Sequence, residues 1–219
     1  MNYTLPFTAI VGMDLVKRSL LYHAIDPRLG GLLLMGHRGC AKSTLARAFR
    51  EILPALETAE TTPFVEVPLG TSEDCLLGSI DASRLLENGE WSAQTGLIQQ
   101  ANGGVLYIDE VNLLPDHLVD SILDSAASGQ HRIERDGLSK TVSARYILIG
   151  SMNPEEGDLR PQLTDRFMHG ILVRDDFSVK ERREIVRVRM DFDDDPQNFL
   201  AGHLTKLEEL RTQILEIRQ

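Results

Sequence analysis

Basic side chains are in short supply: 23 lysines and arginines stand against 33 aspartates and glutamates, a formal charge of −10 over 219 residues. That balance offers no broad positive surface, so neither nucleic acid nor an anionic membrane is an expected partner, and a phosphate ligand needs a local site. Cysteine is nearly absent. Cys40 and Cys75 lack C-x-x-C spacing, and the six histidines form no H-E-x-x-H or paired cluster, which sets aside a disulfide scaffold and structural zinc. No stretch approaches ~20 uninterrupted apolar residues, and "MNYTLPFTAIVG" at the start lacks a basic head before a long apolar run. Export and membrane spanning are therefore not indicated, and the cytoplasm is the expected compartment. Internal repeats and low-complexity tracts are also missing. What is present is 42% apolar residues, enough for one good core.

The patterning alternates strands and helices. "GMDLVKRSLLYHAID" places Leu15, Leu20 and Ala24 at helical spacing, with Asp14 positioned to cap. "GGLLLMG" is a short continuous apolar run, as expected of a strand buried on both faces of a parallel sheet. After a loop, "KSTLARAFREIL" carries Leu45, Ala48, Phe49 and Ile52 on one helical face before Pro54. Further strands are expected in residues 64 to 69, 104 to 109 and 144 to 152, with a helix over "LPDHLVDSILDSAASG" and a hairpin turn at Asp136-Gly137. From about residue 174 the chain reads as two helices joined by an acidic linker, "DFDDDPQ". Strands alternating with helices predict an α/β doubly wound parallel sheet sandwiched by helices, with ligands at the carboxyl ends of the strands.

The loop between the first strand and its helix, "GHRGCAKST", is one residue short of the phosphate-binding pattern G-x-x-x-x-G-K-S/T. Gly36, Lys42 and Ser43 are in register, but Ala41 stands where the second glycine belongs. Such a loop binds phosphates because its backbone N–H groups converge on the anion and the helix dipole adds partial positive charge. Lys42 then reaches the outer phosphates and the Ser43 hydroxyl ligates Mg²⁺. The blander reading is a glycine turn that starts a helix. "VLYIDE" ends in Asp109-Glu110, two acids at the carboxyl end of a buried strand. Asp109 can hold Mg²⁺ through water and Glu110 can polarise the water that attacks a γ-phosphate; otherwise the pair only complements a helix N-terminus. Asn153 stands at the tip of the strand before "PEEGDLRPQLTDRF", where an amide can orient water or phosphate, with Arg160 and Arg166 beyond it. Their plain readings are an Asn-Pro turn for Asn153 and a local ion pair with Asp165 for Arg166. Cys40 inside the loop is either a redox-sensitive thiol or, more simply, a small packed side chain.

Together, "PFTAIVGMD", "DPRLGGLLLMGHRGCAKST", "PLGTSEDCLLGSID", "GVLYIDEVNLLPDHLVDSILDSAASGQHRIERDG" and "MNPEEGDLRPQLTDRF" resemble the magnesium chelatase I-subunit family (BchI/ChlI), in the chelatase and MoxR branch of AAA+ P-loop NTPases. The resemblance runs from residue 6 to about 200. It implies a Walker A loop at residues 36 to 44, with Gly36, Arg38, Gly39, Cys40, Ala41, Lys42, Ser43 and Thr44 around ATP, and a Walker B pair at Asp109 and Glu110. Asn153 matches sensor 1. Arg166 matches the arginine finger acting on a neighbouring subunit's ATP, with Arg160 as second choice, and Ile10, Val11 and Gly12 match the adenine-pocket segment. Segments 76–96 and 129–143 resemble the helix-2 insert and the hairpin before sensor 1.

The implied cofactors are ATP and Mg²⁺. The implied assembly is a homo-oligomeric ring working with D-type (AAA+/A-domain) and H-type chelatase subunits, or with another A-domain protein. The implied reaction is ATP hydrolysis that drives Mg²⁺ insertion into protoporphyrin IX on partner subunits. A MoxR-type chaperone and a nucleotide-binding scaffold with little hydrolysis are the alternatives. Residues 1–173 are expected to be the nucleotide-binding core and 174–219 a helical linker with the start of an incomplete lid, since the family continues into a three-helix lid carrying a sensor 2 arginine. Relatives usually have glycine where Ala41 stands. A methyl is tolerable there at negative φ and costs about 1–2 kcal/mol if the backbone is left-handed.

Overall fold

The computed structural model describes residues 3–54, 61–80, 93–135, 138–174 and 176–218. A five-stranded parallel sheet forms the centre. Its strands are β1 (Gly31–Met35), β2 (Phe64–Val67), β5 (Val105–Ile108), β8 (Ile147–Met152) and β9 (Phe167–Leu172), in the order β2-β5-β8-β1-β9. β1 sits between β8 and β9, pairing Leu33 with Gly150 on one side and with Gly170 on the other. This placement explains its unbroken apolar sequence. Leu32 and Leu34 enter one buried layer, and Leu33 enters the layer on the opposite face.

The first layer is covered by α1 (Asp14–Ile25), α2 (Lys42–Phe49) and the last helix, α8 (Pro196–Arg218). Val16, Leu20 and Ala24 of α1 and Leu45, Ala48 and Phe49 of α2 are buried there, and Ile52 follows them in the next turn. Leu15 is not part of that face; it is 66% exposed. Asp14 does not cap α1 either. Met13 holds the N-cap position at φ 56° and ψ 34°, and no side chain bonds the first turn. The second layer is covered chiefly by α5 (Asp116–Ser128), through Leu118, Val119, Ile122 and Leu123.

Two short antiparallel pairs stand outside the sheet. β6 (Gln130–Arg135) and β7 (Leu138–Ser143) form the expected hairpin, whose Asp136-Gly137 turn lies outside the described residues. α3 (Glu73–Leu77) and β3 (Ser79–Ile80), paired with β4 (Ala93–Gln94), flank residues 81–92 of the expected insert, which also lie outside them. α4 (Leu97–Gln100) leads into β5, and α6 (Pro161–Thr164) precedes β9.

The acidic linker is a correction. α7 (Val179–Asp194) runs through "DFDD", leaving Asp195 alone before Pro196 opens α8. Arg189 pairs with Asp193 at i,i+4 (2.8 Å), and Phe192 is buried with its ring edge-on to Phe199. Local pairing and one buried ring carry the helix through the acids. At its start, Ser178 and Glu181 form a reciprocal capping box. α8 is fastened to the α/β core: Leu207 and Ile214 join the first buried layer, and Arg211 Nε donates to the Glu51 carbonyl at 2.6 Å.

Candidate active site

The sheet brings the loop after β1, the acids after β5 and the amide after β8 to one edge. Arg38, Gly39, Cys40, Ala41, Lys42, Ser43, Thr44, Asp109, Glu110, Met152 and Asn153 line a cleft of about 390 Å³. A larger groove, about 910 Å³, opens at the amino ends of the strands beside Arg28, Arg145 and Arg218. It contains none of the predicted lysine, carboxylates or amide, so phosphate chemistry belongs to the smaller cleft.

The loop is shaped by close packing and by left-handed backbone. Gly36 has no room for a side chain, because a Cβ would lie 2.8 Å from the Val173 carbonyl oxygen. Ala41 has φ 57° and ψ 24°, the left-handed case that a methyl resists. Met13 and Glu110 share this conformation, and all three open a helical segment. The first loop-to-helix bond runs from the Leu45 N–H to the Ala41 carbonyl, leaving the N–H groups of Lys42, Ser43 and Thr44 without intrahelical acceptors. Those amides and the dipole of α2 make the cleft's anion-binding end. Lys42 is folded back, its Nζ donating to the carbonyls of Gly36 (2.6 Å) and His37 (2.8 Å). Cys40 is buried in the first layer, which fits a packing role.

The acids are held by partners that sequence reasoning missed. Tyr107 donates its hydroxyl to Asp109 Oδ1 at 3.0 Å, and Ser151 donates its own to the same oxygen. Ser151 Oγ also accepts the Glu110 N–H at 3.3 Å. Burial holds the Tyr107 phenol well above its ordinary range, so it stays a donor. Neither hydroxyl uses Asp109 Oδ2. With Ser43 in the same cleft, this sparse oxygen set suits Mg²⁺, which is commonly held by one or two protein oxygens together with substrate phosphates and water. Glu110 Oε1 accepts from Arg38 Nη2 at 2.9 Å, and Arg38 Nε donates to Glu156 Oε1 at the same distance. Arg38, expected only as a nucleotide contact, thus also holds the glutamate expected to activate water.

Asn153 is 6% exposed and meets its plain reading. Its Oδ1 accepts the Glu155 N–H at 3.3 Å, as an Asn-Pro turn requires, and the residue still lines the cleft. Arg166 is not brought to this cleft. Its Nη1 meets Asp120 Oδ1 at 2.6 Å and its Nη2 meets Asp124, both on α5, in place of the local pair with Asp165. Arg160 Nε meets Asp116 Oδ2 at 2.5 Å. Ile10, Val11 and Gly12 also lie outside the cleft's lining. Ile10 packs on the first buried layer, and Gly12 lies against Phe177 and Glu181 at the start of α7.

A parallel sheet with a glycine loop, two acids and an amide at its carboxyl edge defines a P-loop NTPase of the AAA+ class, and residues 31–167 match the family model "AAA domain (dynein-related subfamily)". Within that class the chain belongs to the family of the magnesium-chelatase 38 kDa subunit. It is 44% identical to that subunit of Rhodobacter capsulatus, over 98% of this chain and 69% of that protein. For the subunit of Chlorobaculum tepidum the identity is 43%, over 98% of this chain and 63% of that protein. A chain in a model of the complex between subunits BchI and BchD of magnesium chelatase superposes with a TM-score of 0.78 at 44% identity, covering 99% of this chain and 76% of that one. The chain thus spans roughly two thirds of these curated relatives. Membership supports the chelatase ATPase over a MoxR-type chaperone or a weakly hydrolysing scaffold, and the chain is an AAA+ ATPase of this family.

Proposed function

We propose that the chain hydrolyses Mg²⁺-ATP in the cleft between β1, β5 and β8 and, in a homo-oligomeric ring with D-type and H-type partner subunits, drives insertion of substrate Mg²⁺ into protoporphyrin IX. The observation that carries the ATPase assignment is the gathering of Lys42, Ser43, Asp109 and Glu110 along one cleft. Lys42 and the amides at the start of α2 receive phosphates. Ser43 and Asp109 hold the nucleotide's Mg²⁺, whose charge offsets that of the phosphates. Glu110 polarises the attacking water and Asn153 orients it. Ile10, Val11 and Gly12 contact the base, and Arg166 serves the nucleotide of a neighbouring copy. Metal insertion takes place on the partners, in the cytoplasm; among the described residues no helix is long and apolar enough to cross a membrane. Residues 1–173 are the nucleotide-binding unit in this reading, and 174–219 are a helical linker and the start of a lid, with α8 packed back on the core.

The test is reconstitution with D-type and H-type subunits, protoporphyrin IX and Mg²⁺, followed by fluorescence of the metallated porphyrin. Product is expected only with this chain and hydrolysable ATP. Equal product with a non-hydrolysable analogue would contradict the coupling.

A further inference from the structure

We propose that Asp120 and Asp124 are positioning residues that orient Arg166 for its action on a neighbouring copy's nucleotide. This rests on the reading of Arg166 as the arginine supplied between subunits. The three aspartates Asp116, Asp120 and Asp124 recur at i, i+4 and i+8 along α5, and that spacing sets them in a row on one helical face. The segment crossing that face supplies a matching row of arginines. Arg160 pairs with Asp116, while Arg166 spans Asp120 and Asp124 with its two terminal nitrogens.

The geometry points to orientation more than to stability. Exposed ion pairs stabilise a fold little, and here Asp120 and Asp124 are 51% and 76% exposed. Two separate carboxylates on one guanidinium do something a single pair does not: they fix its plane as well as its position. Each takes one terminal nitrogen, and the Nε–H together with the remaining N–H groups stays available for a phosphate oxygen. The backbone of Arg166 is also fixed, since its N–H donates to the Leu163 carbonyl at 3.2 Å and β9 begins at the next residue. With the backbone set by α6 and β9, the side chain's direction is the remaining freedom, and α5 removes it. An arginine already held in one orientation at assembly loses less conformational freedom when it meets the transition state.

The experiment measures Mg²⁺-ATP turnover by the full chain in its assembled state for Asp120→Asn, Asp124→Asn, the double variant, Arg166→Ala and the triple variant, with nucleotide affinity and sedimentation alongside. The double variant is expected to lose about 10-fold in kcat with unchanged KM, nucleotide affinity and assembly, and to add no further loss to Arg166→Ala. A mixing assay separates orientation from a general defect. Glu110→Gln, inactive in its own site but with an intact arginine, should restore turnover when mixed with the double variant. The single variants keep the test informative if the double variant folds poorly. Full kcat in the aspartate variants beside a crippled Arg166→Ala, additive losses in the triple variant, or no rescue on mixing would overturn the positioning role. Full turnover by Arg166→Ala would instead remove the underlying reading of that arginine, and the proposal with it.

Discussion

Replacing Ala41 by glycine should make the protein more stable, the reverse of what glycine does in ordinary backbone. At φ 57° and ψ 24°, Ala41 sits in the left-handed region, where an L-residue is disfavoured by about 1–2 kcal/mol. Glycine relieves that, but it raises the entropy of the unfolded chain by about 0.4–1 kcal/mol. It also gives up a half-buried methyl, about 0.4 kcal/mol if a fully buried CH₂ is taken at about 0.8. The middle of these ranges leaves a net gain of about 0.5 kcal/mol, which for a chain of this size raises Tm by about 1–2 °C. Gly39 in the same loop is the natural counter-test. Its φ is 86° and a Cβ there meets nothing within 4 Å, so Gly39→Ala isolates the backbone cost and should lower Tm by about 2–3 °C. Thermal unfolding of both variants, with and without Mg²⁺-ATP, reads the signs directly. A Tm lowered by Ala41→Gly, or shifts of the same sign in both variants, would refute the left-handed assignment at position 41.

Ser151→Ala removes the hydroxyl that bonds Asp109 and accepts the Glu110 N–H. Losing the hydrogen bond that orients a metal-holding carboxylate weakens metal sites by about 10–100-fold, so the Mg²⁺ concentration for half-maximal ATPase should rise at least about 10-fold; an unchanged Mg²⁺ dependence would count against the role. Glu51 gives a pH prediction. Burial, only partly offset by Arg50, the Phe7 N–H and Arg211, raises its carboxyl from 4.5 to about 7, and its Oε2 is buried without a partner. Between those two values the unfolded chain has released a proton that the folded chain keeps, so this group lowers stability as pH rises from about 4.5 to 7 and changes nothing further above that. Glu51→Gln should therefore gain on the wild type in denaturant titrations as pH goes from 5 to 8, whereas a constant difference would show that Glu51 titrates normally.

Much of the fold is legible in residue order because a doubly wound sheet writes its central strands as short apolar runs. β1, β5 and β8 fall within the expected segments, and the loop, acids and amide follow each of them directly. β9 is not legible in this way. "FMHGIL" is an edge strand whose Phe167 and Ile171 are buried while Met168 and Leu172 face outward, so it lacks the unbroken apolar signature. The support around Asp109 depends on pairing. β5 and β8 run parallel with Ile108 beside Gly150, and one step further along each strand Asp109 meets Ser151. Only the register, which no local pattern states, makes that serine a partner. Arg166 is similar, since its carboxylates lie 42 and 46 residues away on α5, and the adjacent Asp165 invites the wrong pairing. At Ala41 the sequence frames a choice between two backbone conformations, and the loop adopts the left-handed one.

In the proposed reaction this cleft hydrolyses ATP with Glu110 activating the water. Glu110→Gln preserves size and the residue's left-handed backbone position while removing the base. Nucleotide affinity and steady-state phosphate release, measured side by side with Mg²⁺-ATP, should show near-normal binding and turnover reduced by about 100-fold or more; turnover equal to that of the wild type would contradict the account.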